Sequence, residues 1–147
     1  MSSFKDFTID QEKYCFGHQK ESEASLARIE SELQVTLPAE FKWFLRVCGY
    51  GDCQAVSNLD TSVADTKRFR ETIGLPKKYI VLDDRNDSGV VLLDTESPAG
   101  TVIWVDTHAL LRIAAGTLKE AEQDYFPDFA SWVRFCVGEA IDEESGA

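Results

Sequence analysis

The chain has 147 residues, 44% of them hydrophobic, enough for one domain with its own core. Its formal net charge of -11 repels DNA, RNA and anionic bilayers, so nucleic acid and membrane are excluded as partners on this reading. The same field favours a basic partner, although an acidic surface that only aids solubility has the same composition.

No apolar run approaches the ~20 residues of a membrane span. The start, Met1 to Phe7, lacks the basic end and long apolar stretch of a secretory signal, so a cytoplasmic location is expected. Cys15, Cys48, Cys53 and Cys136 are then expected as reduced thiols, with Cys48 and Cys136 on apolar helix faces.

In chain order, Phe4 to Phe16 mix aromatics with charge, and Lys13-Tyr14-Cys15-Phe16 is predicted as a short strand. Ser22 and Ser25 are candidate N-caps for a first helix, whose Leu26, Ile29 and Leu33 share one face. Pro38 suits the first turn of a second helix, where its missing N–H costs nothing. Phe41, Phe44, Leu45 and Cys48 form that helix's stripe, and Gly49 ends it. A strand is predicted around Gln54–Val56, then a helix capped by Thr61 that runs to Ile73 and stops at Gly74. Three short apolar runs follow: Tyr79–Leu82, Val90–Leu93 and Thr101–Val105, separated by hairpin-length loops, an antiparallel meander. Pro127 opens a last helix with Phe129, Val133, Cys136, Val137 and Ala140 on one face. The tail from Asp142 to Ala147 is predicted to fray. Helices, meander and closing helix make an α+β domain.

This order resembles one known family. The acidic amphipathic helix, Leu37-Pro38, and the Phe- and Leu-rich helix ending at Gly49 look like the N-terminal half of SUKH-superfamily domains. These are the Smi/Knr-type proteins, many of them bacterial immunity proteins. Tyr79–Leu82, an Asp/Asn/Gly turn, Val90–Asp94, a Pro-Gly loop and Val102–Asp106 followed by His108 look like the family's strand core. Phe126 and Phe129 to Val133 match its closing helix. The segment before Ser22 lies outside the pattern, and Val47-Cys48-Gly49 stands where an Asn usually precedes the glycine turn. The resemblance implies one SUKH-like domain over 1–147, with a core over 22–137, an N-terminal extension over 1–21 and an acidic tail over 142–147.

Catalytic motifs are scarce. Asp84, Asn86 and Ser88 alternate before Gly89 as in a calcium loop, but Thr95 stands where a bidentate Glu is needed, and a hairpin turn wants the same residues. Cys15-x-x-His18 is half a zinc site at most. No nucleophile elbow and no phosphate-cradling glycine loop is present. No catalytic residue, metal or cofactor is therefore expected.

A binding surface has better material. Tyr50 and Asp52 follow the helix stop, Asp83, Asp84 and Asp87 crowd one turn, and Trp104 with Asp106 lies on the third strand. Carboxylates around an aromatic suit a basic protein partner. The family resemblance implies an immunity protein that neutralises a cognate polymorphic toxin, often a nuclease, by occluding it. The alternatives are an intracellular regulator or scaffold, and a small hydrolase using Asp84, Asp106 or His108.

Overall fold

The computed structural model describes residues 3–146; Met1 and Ser2 of the N-terminal extension and Ala147 of the acidic tail lie outside it. Five helices come first: α1 (Phe4–Asp10), α2 (Glu12–Cys15), α3 (Glu23–Leu33), α4 (Ala39–Val47) and α5 (Leu59–Ile73). Strands β1 (Tyr79–Asp84), β2 (Val90–Asp94) and β3 (Val102–Val105) follow, then α6 (Thr107–Ala115), β4 (Gln123–Phe126) and α7 (Phe129–Gly146). The strands pair antiparallel in sequence order.

The sheet is a middle layer, which explains why Val90 to Leu93 are apolar without alternation. One face turns Ile80, Leu82, Val91, Leu93 and Val102 toward α1, α3, α4 and α7. The other turns Val81, Val90, Leu92, Ile103 and Val105 toward Leu110 and Ile113 of α6 and Phe69 and Ile73 of α5. Trp132 is fully buried in the larger core, where its indole N–H donates to Ala55 O at 2.9 Å. Phe129 meets Phe41, Phe44 and Phe4 edge-on, an arrangement that aromatic quadrupoles favour.

Caps fix the helix starts. Ser22 and Ser25 form a reciprocal capping box on α3. The edge of β1 is closed by a hydroxyl and a backbone amide. Val81 N–H donates to Thr66 Oγ1 at 2.9 Å, and Ser57 N–H donates to Leu82 O at 3.1 Å. Thr66 and Val81 are both fully buried, so no water can take over that bond.

Several elements depart from the sequence reading. Lys13 to Phe16 is not a strand: Cys15 N–H bonds to Gln11 O and Lys13 to Cys15 are helical, with Cys15 turned inward and Phe16 extended just after the helix. Gln54–Val56 is not a strand either, because Gln54 sits at φ 55 and breaks the extended run. Asn58, not Thr61, caps α5; its Oδ1 accepts the Thr61 N–H, so Thr61 is already in the first turn. Pro38 occupies the cap position just outside α4. Pro127 precedes Asp128, whose Oδ1 accepts the Ser131 N–H at the start of α7. The tail is helical through Gly146, because Glu144 accepts hydrogen bonds from Tyr14 Oη (2.6 Å) and Lys13 Nζ. Neither α6 nor β4 was predicted.

Candidate functional site

The site is built outward from Trp104. Strand β3 presents alternate side chains to alternate faces, and Trp104 stands half-buried on the α7 side. Its indole N–H donates to Ser88 O at 2.7 Å, which ties the strand to the β1–β2 turn. Gly89 in that turn sits at φ 96, and a side chain there would meet Val105 O at 2.4 Å. The turn therefore lies flat against β3. The ring packs edge-on to Trp132 and Phe135 of α7.

Arg85 covers the inner side. Its guanidinium lies 4.8 Å from the Trp104 ring centre and 5.4 Å from that of Trp132, while Nε donates to Asp83 Oδ2 at 2.8 Å. Asp83 is thus committed to Arg85.

A hollow opens on each side of Trp104. The first, about 280 Å³, has Asp52, Glu139 and Glu143 as its carboxylates, with Phe135 and Arg85 in its wall. The second, about 340 Å³, has Asp87, Asp106, Glu122 and Asp124. The Glu122 carboxyl is held below its ordinary range by the Lys119 backbone N–H and then by Arg112, which pairs with it. Among the described residues no cation pairs with the other six. The result is a half-buried Trp104, covered on one side by Arg85, with carboxylates in excess around it.

Asp52, Asp87, Trp104 and Asp106 from the sequence reading are brought together here. Asp106 also caps α6, accepting Ala109 N–H at 2.8 Å. Asp84 turns away: it pairs with Arg68 of α5 at 2.9 Å and accepts the Asn86 N–H. Tyr50 holds a structural joint. Its hydroxyl donates to Glu21 Oε2 at 2.7 Å and accepts Leu59 N–H at 2.9 Å, and burial followed by Glu21 pushes its phenol well above its ordinary value. His108 is exposed on α6, and no hydrogen bond links it to Asp106 or Asp84 among the described residues.

Glu139, Glu143, Asp124 and Arg85 were missed. Glu139 and Glu143 follow Phe135 at i+4 and i+8, so the helical period alone could have placed them together. Asp124 required β4. Among the described residues no group of three or more His, Cys, Asp or Glu could hold a metal ion, and no helix is long and apolar enough to cross a membrane.

The architecture is that of an α+β domain with an antiparallel meander between helical layers. Its sequence matches the SUKH_5 family, described as SMI1-KNR4 cell-wall, over residues 6–137, and the chain belongs to that family. The match takes in residues 6–21, which the sequence reading set apart as an extension. No curated protein matches the chain.

Proposed function

We propose that this chain is a protein-binding module that acts as an immunity protein, covering the basic cleft of a cognate toxin domain, a nuclease being one such target. The observation that carries this reading is the ring of unpaired carboxylates around Trp104. Asp52, Glu139 and Glu143 on one side, and Asp87, Asp106 and Asp124 on the other, form no salt bridge among the described residues and outnumber the Arg85 guanidinium in the wall. An aromatic centre with a charged rim is the usual anatomy of a tight protein contact. Family membership supports the same reading. The family description refers to the cell wall, which supports a second reading as an interaction module in cell-wall regulation.

The test is capture from the native host with wild-type chain and with the Glu139→Lys/Glu143→Lys variant. A basic toxin-like protein held by the first and released by the second is expected. Its association rate should fall by about tenfold or more from low to physiological salt. A partner that binds both chains equally, with a rate flat in salt, would refute the placement.

A further inference from the structure

Four thiols from three separate stretches of the chain lie in one core cluster. Cys15 ends α2, Cys48 follows α4, Cys53 lies in the next loop, and Cys136 is on α7; all four are buried and free. The backbone forces the first and third together. Cys53 N–H donates to Tyr14 O at 2.9 Å. A side chain on Gly51 would meet Tyr14 O at 2.3 Å and Cys15 O at 2.5 Å, so the loop is laid directly on the end of α2. The two side chains enter the same core cluster, and each thiol shifts the titration of the other.

The two sulfurs differ in chemistry. The Cys15 side chain holds the Cys53 thiol below its ordinary value, whereas Cys53 and burial push Cys15 up. Burial raises Cys48 to about 11 and Cys136 to about 12. The Cys15 side chain favours the Cys53 thiolate, and thiolate is the nucleophilic form. It also has a route to solvent: Cys53 is 7% exposed and lines the hollow beside Trp104. Cys15 is fully buried behind it.

We propose that Cys53 and Cys15 are a peroxide-reactive pair, Cys53 the attacking thiolate and Cys15 the resolving thiol, which closes to a reversible disulfide. The Cys53 sulfur attacks one peroxide oxygen, the O–O bond breaks, and the leaving hydroxide takes a proton to become water. The resulting sulfenic acid is then attacked by Cys15. An S–S bond forms, the S–O bond breaks, and the departing hydroxide takes the Cys15 proton as a second water. Two thiols are oxidised by two electrons and one peroxide is reduced. The crosslink pins the loop that carries Asp52 and Gln54, two residues of the hollow's rim.

The experiment exposes the full, reduced chain to equimolar hydrogen peroxide, then blocks free thiols and maps peptides. Loss of two hydrogens with a Cys15–Cys53 crosslink, reversed by dithiothreitol, is expected. Cys136→Ser should keep the crosslink. Cys15→Ser should lose it and leave a sulfenic acid that dimedone traps at Cys53. Four free thiols under conditions that oxidise a control dithiol peptide would overturn the proposal, as would a crosslink through Cys48 or Cys136. Because wild-type chain carries the primary readout, a variant that fails to fold does not decide the matter.

Discussion

Replacing Thr66 with Val removes one hydroxyl from the seam between α5 and β1 and leaves the shape unchanged. That oxygen accepts Val81 N–H at 2.9 Å and donates to Ser62 O at 2.6 Å. Val81 is on an edge strand, yet it is fully buried beneath α5, so its N–H would have no substitute partner. A buried donor left unpaired costs about 1–3 kcal/mol. The Ser62 carbonyl loses only one of its acceptor roles, and the added methyl returns part of the loss through burial. A net destabilisation of about 1–2 kcal/mol follows. With a urea slope of roughly 2 kcal/mol per molar, the unfolding midpoint should fall by about 0.5–1 M at unchanged slope. Urea titration followed by circular dichroism reads this directly. A midpoint equal to or above wild type would refute the reasoning, because it would mean that the edge amide does not depend on the hydroxyl.

Two further outcomes follow from charged groups. Burial, and then the Asp128 carboxylate, push the Glu40 carboxyl above its ordinary value of 4.5, so its contribution to stability is present at low pH and lost as pH rises through the raised value. Glu40→Gln should therefore raise the urea midpoint at neutral pH, with the gain disappearing below pH 4.5; a gain that persists in acid would contradict the sign. Arg85→Met strips the guanidinium from Trp104 and Trp132 and leaves Asp83 without its cation. A loss of about 1–2 kcal/mol and red-shifted tryptophan emission are expected, and unchanged emission would count against the stacked geometry.

What could be read in advance follows from where the physics is local. The α3 and α4 stripes were visible because each helix buries one face, and Ser22 sits where a cap must. The first three strands were visible as apolar runs. The α6 signal was also present, with Asp106 as cap, Leu110 and Ile113 inward, and Gly116 at φ 74 as stop, but the polar Thr107-His108 start hid it behind a loop reading. Strand β4 carries no such signal. Gln123 and Asp124 are ordinary loop residues, and only pairing with β3 extends them. Lys13 to Phe16 misled because aromatic residues favour strands, whereas the turn from Glu12 to Cys15 is helical and buries Cys15. The site was half legible for the same reason. Asp52, Asp87, Trp104 and Asp106 stand near turns, while Glu139 and Glu143 join them only through the docking of α7.

The clasp between the ends of the chain bears on how the protein is made. Phe4 rests on Phe129 with ring centres 6.2 Å apart, and Glu144 holds Tyr14 and Lys13 across 130 residues or more. During synthesis α1 and α2 emerge before α7, yet their contacts with it can form only after the sheet has been translated. A chain stalled before residue 129 leaves Phe4 without one of its ring partners and Cys15 without the wall that α7 supplies. The segment that opens the domain is thus among the last of its parts to be secured, and closure of the domain waits for synthesis of α7.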